Sequence, residues 1–130
     1  PVKRAYAISD FIESAKENGA IRINSGGDVI RRYCDAGDFM EVLVRSAIQG
    51  DTTTLDSGGS IIEVGELAKL ISARLGGIPI TRSETPTPLD DYYPRGSEFE
   101  DLAKSVGVQL HGIDEQVLRT LKSHKFPNFG

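Results

Sequence analysis

One cysteine, Cys34, is all the thiol chemistry this sequence holds, so an intrachain disulfide is excluded and a reducing, cytoplasmic location is expected. No apolar run approaches the ~18–20 residues of a membrane span, and no secretory signal pattern opens the chain. Positive charge is not in surplus: the net charge is -4 and the pI about 5.1, which argues against a general nucleic-acid binder. No glycine triplet has the spacing of a dinucleotide turn or a P-loop. His111 and His124 are far apart and Cys34 stands alone, so no metal ligand set is expected, and surface or structural roles suit both histidines. A Cys–His nucleophile pair fails for the same reason, and Cys34 is expected to fill a small core position.

What remains fits one α/β domain. A chain of 130 residues buries roughly two-thirds of its unfolded surface, enough for a core, although its hydrophobic content is 38% and it carries 14 glycines. Apolar residues at helical spacing predict a helix over Ala5–Asn18, stopped by Gly19. Ala20–Ile23 predicts a short strand, Ser25–Asp28 a turn, and Val29–Cys34 a second strand antiparallel to the first. Asp35 is placed to cap a helix with Phe39, Met40, Val42, Leu43, Ala47 and Ile48 as its apolar stripe, ended by Gly50.

Asp51–Asp56, with three threonines, predicts a strand lying between two helices, as a parallel strand does in a larger sheet. No parallel partner is evident, so its sheet is expected elsewhere in a longer protein. The next helix carries Val64, Leu67, Ala68, Ile71 and Leu75; either Ser60 with Glu63 or Glu63 with Glu66 could open it, and the apolar phase favours the later start. Ile78–Arg82 predicts another strand, and Ser83–Gly96 a loop with three prolines and the pair Tyr92-Tyr93. Ser97 and Glu100 form a capping box for a helix to Ser105, and Asp114 is placed to cap the last helix, through about Lys122. The tail from Phe126 to Gly130 is expected to be loose, and Pro1 in place of methionine implies a processed start or a piece of a longer protein.

Turn chemistry, positive charge and an aromatic converge only between Asn24 and Asp38. Strand alternation puts Arg31 and Tyr33 on one face and Ile30 and Arg32 on the other. An arginine beside a Gly-rich turn can grip a phosphate through two N–H groups, or can be a solvated edge-strand residue; both alternatives stay open at this level. Tyr92 and Tyr93 could likewise line a ligand pocket or cover a core edge.

The run Gly27-x-x-Ile30-Arg31-x-Tyr33-x-x-x-x-Asp38-Phe39 resembles the G-x-x-V-R-x-Y-x-x-x-x-D-L element of extended short-chain dehydrogenases, the NAD-dependent sugar-nucleotide epimerases and dehydratases. Tyr6-Ala7-Ile8-x-Asp10-Phe11-Ile12, Glu66-Leu67-Ala68, Asp91-Tyr92-Tyr93-Pro94 through Leu102, and Ile113-Asp114-Glu115-Gln116 resemble further elements of that family in the same order. Residues 1–130 then look like the C-terminal, substrate-binding lobe, a small α/β unit that completes and packs on an N-terminal Rossmann domain. The resemblance implies NAD or NADP in the parent enzyme, a nucleotide-sugar substrate, and a hydride passing reversibly between a sugar carbon and the nicotinamide, in carbohydrate biosynthesis as an isomerase or a lyase. It implies that Arg31 contacts the nucleotide's phosphate, with Asn24, Tyr33, Asp91 and Tyr92 about the substrate. The family's catalytic Tyr-x-x-x-Lys has no counterpart, because no tyrosine here is followed by lysine four residues on. No catalytic, cofactor or metal residue is therefore assigned to this segment.

Several positions depart from the family's pattern. The arginine and aspartate that clamp the nucleotide upstream of the tyrosine fall near Thr85 and Pro88. Arg95 stands where aspartate is usual, and Asp35 where an aromatic or histidine is usual. The sugar, the nucleotide and the choice of epimerase or dehydratase stay open here. So do two other origins: a non-catalytic ligand- or protein-binding module derived from the lobe, and an unrelated α/β domain, in which the threonine strand would pair within the chain. A lobe parted from its Rossmann domain is expected to expose apolar surface and a strand edge, and to be marginal or form homo-oligomers.

Overall fold

A computed structural model describes residues 7–50, 58–124 and 126. Their order is α1 (Ala7–Asn18), β1 (Ile21–Ile23), β2 (Ile30–Tyr33), α2 (Ala36–Ile48), β3 (Ser60–Glu63), α3 (Val64–Arg74), β4 (Ile80–Arg82), α4 (Glu98–Ser105) and α5 (Ile113–Ser123). The fold class is α/β, as expected. The threonine segment Asp51–Asp56 lies outside the described residues.

The strand pairing differs from the expectation. β1 does not pair with β2; it runs parallel to β4 in the register Ile21–Ile80 to Ile23–Arg82. β2 instead runs antiparallel to β3, from Ile30–Glu63 to Tyr33–Ser60. A parallel pair needs a long crossover, which the intervening chain including α3 supplies. The Ser25–Asp28 turn is barred from closing a hairpin because the segment 85–90 lies across it: Asp90 donates its amide to Asp28 and accepts that of Ile30.

Burial follows the two periodicities. On β1, Ile21 and Ile23 face inward and Arg22 outward. They meet Ile8, Phe11 and Ile12 of α1, Leu67, Ala68 and Ile71 of α3, and Val117 and Leu121 of α5 in the main core. A second core joins Val42 of α2 to Phe99, Ala103, Val106 and Val108, with the Phe39 and Phe99 rings stacked at 5.7 Å. Cys34 packs against it; burial, aided by Asp38, Asp35 and Glu100, pushes its thiol up to about 11, so it behaves as a small apolar group.

Helix ends show how tertiary partners override local signals. Asp35 caps α2 as expected, accepting the Asp38 amide at 3.0 Å. Glu63 caps α3 by accepting the Gly65 amide, so the later start is the one observed. The capping box at α4 does not form, because Arg32 and the Gly59 amide take the Glu100 carboxylate and the Ser97 hydroxyl turns to Asp101. α5 starts two residues early, with Gly112 rather than Asp114 at the cap; Asp114 lies in the first turn, where its charge still suits the helix dipole.

The stripe expected to bury α2 is mostly outward. Only Asp38, Val42 and Ser46 of this helix are buried, whereas Met40, Leu43 and Val44 are exposed and Ile48 is 80% exposed. The result is an apolar outer face on a helix whose inner face is a single narrow row. No described helix is long and apolar enough to cross a membrane.

Candidate functional site

The turn at Gly26-Gly27 is built by its neighbours. Arg82, at the end of β4, donates to the carbonyls of Ser25 and Gly27 and to the Glu63 carboxylate. The Thr87 hydroxyl accepts the Gly27 amide at 2.8 Å. A side chain on Gly26 would collide with the backbone carbonyls of Thr85 and Ser83, and one on Gly27 with that of Thr87. The two glycines thus allow segment 85–90 to cross the turn as a strap, backbone on backbone.

Turn and strap enclose an open cleft of about 860 Å³. Asn24, Ser25 and Val29 line one side, residues 87–93 and Arg95 the other. Three of the sequence-identified residues therefore meet here: Asn24, Asp91 and Tyr92. Arg31 stands just behind the lining. Its guanidinium donates two parallel hydrogen bonds to Asp90, at 2.9 and 2.7 Å, and a third to the carbonyl of Ile30. The hydrogen bonds hold the Asp90 carboxyl below its ordinary range and raise Arg31. Tyr33 lies apart from the lining, half-buried against the main core, where burial raises its hydroxyl pKa.

The sequence reading missed Ser25, Thr87, Asp90 and Arg95. Arg95 pairs with Asp91 at 2.9 Å and lies 4.3 Å over the Tyr93 ring. The available signal was the clustering of Asp90-Asp91 and Tyr92-Tyr93 in one proline-bounded loop. Every arginine beside the cleft is thus already matched by a carboxylate: Arg31 by Asp90, Arg95 by Asp91, Arg82 by Glu63.

Glu63 carries a pH dependence. Burial alone would push its carboxyl up, but hydrogen bonds from Arg82 and from the Val29 and Gly65 amides bring it below the usual range. Glu100 behaves likewise, with the Gly59 amide and Arg32 overcoming burial. A carboxyl depressed in the folded state contributes stability above its unfolded pKa of 4.5 and loses that contribution as pH falls through the folded value. Stability is therefore expected to drop from about pH 5 downward, with a shallower drop in Glu63→Gln. Urea midpoints measured between pH 3 and 7 check this; parallel profiles would refute it.

A second polar cluster lies at the start of α2. One donor atom each of Asp35, Asp38 and His111 lies within 4.8 Å of the others. Asp38 accepts the His111 amide at 2.6 Å and bonds its Nδ1 at 2.7 Å. Arg119 donates to Asp35 Oδ2 and lies 2.9 Å from His111 Nε2. A guanidinium can only donate, so Nε2 accepts and the ring proton sits on Nδ1, facing Asp38. Arg119 supplies the positive charge that a metal would bring, and the cluster is a clamp tying α2 to α5.

The paired glycines at 26–27 and 76–77 serve the fold. The strap fills the space beside Gly26 and Gly27, and Gly76 and Gly77 serve the end of α3 with positive φ.

Comparison with known proteins shows the fold. No protein-family model and no curated protein matches the chain. A solved NAD-dependent NDP-hexosamine 5,6-dehydratase, TunA, involved in tunicamycin biosynthesis, is similar with a TM-score of 0.74 and 16% identity, over 95% of this chain and 41% of that one. The Helicobacter pylori ADP-L-glycero-D-manno-heptose-6-epimerase is similar with a TM-score of 0.74 and 12% identity, over 96% of this chain and 39% of that one. The chain thus spans about two-fifths of the length of each solved structure and shares the fold of that part.

Proposed function

We propose that this chain is the substrate-binding portion of an NAD(P)-dependent sugar-nucleotide epimerase or dehydratase of the extended short-chain dehydrogenase family. The observation that carries this is the coincidence of a fold shared with an NAD-dependent NDP-hexosamine dehydratase and an ADP-heptose epimerase and a cleft beside Arg31, the residue that the family motif assigns to a phosphate. The lobe holds the nucleoside diphosphate so that the sugar faces the other lobe of the parent, where NAD(P) and the catalytic tyrosine and lysine would sit. Its contribution is positioning, which can supply ~7–11 kcal/mol of a barrier. In this arrangement Asn24 and Tyr92 contact the nucleoside, Asp91 borders it, and Tyr33 supports Arg31 from behind. The apolar outer face of α2 packs on the rest of the parent, consistent with a match to only two-fifths of each relative.

The test is calorimetric titration of the chain with UDP and dTDP. A charge-assisted phosphate contact is worth roughly 1.5–3 kcal/mol. Arg31→Ala is therefore expected to weaken nucleotide binding about ten- to a hundredfold. Unchanged affinity would sink the role given to Arg31, and no binding of any nucleotide by the unmodified chain would sink the function.

The second reading is a non-catalytic module with this fold. It is favoured by the charge balance of the cleft, where each arginine already has a carboxylate. The sequence upstream of Pro1 separates the two. A glycine-rich dinucleotide turn and Tyr-x-x-x-Lys there mark the enzyme; a start codon directly before Pro1 marks the module.

A further inference from the structure

The Arg31 guanidinium stands just behind the cleft lining, and one N–H on each of its terminal nitrogens is already engaged. Asp90 accepts both in the parallel, two-pronged geometry that a phosphate would adopt. We propose that Asp90 is an internal competitor for the anion site, so that a ligand binds by exchanging its phosphate for this carboxylate on Arg31. The inference rests on the substrate-lobe reading and adds to it a residue that sets which anions gain entry.

Three features make the exchange feasible. The Asp90 backbone is held to the turn by bonds that do not involve its carboxylate, its amide donating to Asp28 and its carbonyl accepting from Ile30; besides Arg31, the carboxylate accepts only the Tyr92 amide, at 3.5 Å. The carboxylate can therefore swing away while the strap stays in register. Both partners are partly solvated, with side-chain exposures of 36% for Arg31 and 49% for Asp90, so the displaced carboxylate finds water at once. Next along the strap, Arg95 donates from one terminal nitrogen to the Asp91 carbonyl and, at 2.9 Å, to one oxygen of its carboxylate.

Selectivity follows from the exchange. A ligand with one negative charge gains on Arg31 only what Asp90 gives up. A diphosphate has more charge and more acceptor oxygens, and can engage Arg31 while still leaving oxygens for Arg95. The carboxylate thus excludes single-charged anions and admits diphosphates.

The experiment is titration of the chain, Asp90→Asn and Asp90→Ala with inorganic pyrophosphate and with UDP, each repeated in an Arg31→Ala background. Asp90→Asn keeps size and backbone hydrogen bonds; Asp90→Ala checks that the amide does not itself grip the ligand. Both variants are expected to bind pyrophosphate at least fivefold more tightly than the unmodified chain, and the gain is expected to vanish with Arg31→Ala. UDP bound by the unmodified chain with equal or weaker affinity in both Asp90 variants overturns this inference alone. Failure of every variant to bind either probe overturns it together with the substrate-lobe reading.

Discussion

Arg32→Ala is expected to destabilise the chain by about 3 kcal/mol, the largest effect of any single side-chain truncation considered. The Arg32 side chain is only 8% exposed, and all three of its nitrogens donate. Nε donates to the Gly59 carbonyl, one terminal nitrogen to the carbonyls of Pro94 and Gly96, and the other to Glu100. It therefore joins β2 to the segment before β3, to the end of the cleft loop and to α4. Truncation leaves the Glu100 carboxylate held by the Gly59 amide alone, with its second oxygen buried and without a hydrogen-bond partner. Breaking a buried pair from one side costs about 3–5 kcal/mol. The lower end applies here because Glu100 is 32% exposed and part of its charge can rehydrate.

The measurement is urea unfolding at neutral pH, with a midpoint lowered by roughly 1–3 M at unchanged slope. Arg32→Lys is expected to recover less than half of the loss, since a single ammonium cannot reach four acceptors arranged for a planar fork. A midpoint shift below about 0.3 M for Arg32→Ala would show that the network contributes nothing.

Gly26→Ala should carry the second largest effect, on stability and binding together. The new methyl would stand against the carbonyls of Thr85 and Ser83, which are backbone and cannot rotate away. The strap must lift from the turn. That removes room from neither side chain nor solvent, but from a crossing held by the Gly27–Thr87 and Ser25–Thr87 hydrogen bonds. Overpacking of this kind costs typically about 1–3 kcal/mol, and the value near 3 is expected because no side chain can yield. Since the cleft lies between turn and strap, nucleoside diphosphate affinity should fall at least tenfold, about 1.4 kcal/mol. Unfolding and UDP titration on one preparation check both. A variant that unfolds earlier but binds UDP normally would separate the strap from the ligand site.

Legibility differed by element. The amphipathic stripes of α1 and α3 were readable because a 3.6-residue repeat of apolar residues needs no knowledge of partners. The caps at Asp35 and Glu63 were readable for the same reason, since cap and amide lie within three residues. Ser60–Glu63 was not recognised as a strand, because it runs into α3 without a turn residue between them and both ends double as helix-start signals. Strand alternation places Arg32 only on the face of Ile30, and the local pattern makes Glu100 half of a capping box. Their contact spans 68 positions, and a charge-assisted bond to an almost buried guanidinium outweighs a local bond to one helix amide.

By itself the sequence determined the helices, the Gly26-Gly27 break, the absence of disulfide, membrane-helix and dinucleotide-turn signatures, and the motif order that points to a sugar-nucleotide lobe. All are local properties: periodicity, turn chemistry, residue spacing. Only the tertiary structure decided that β1 pairs with β4, that the strap crosses the turn, and that Asp90 rather than solvent meets Arg31. Those contacts join residues dozens of positions apart. Their pairing is set by which surfaces the packed core brings together and by where a desolvated charge finds its opposite.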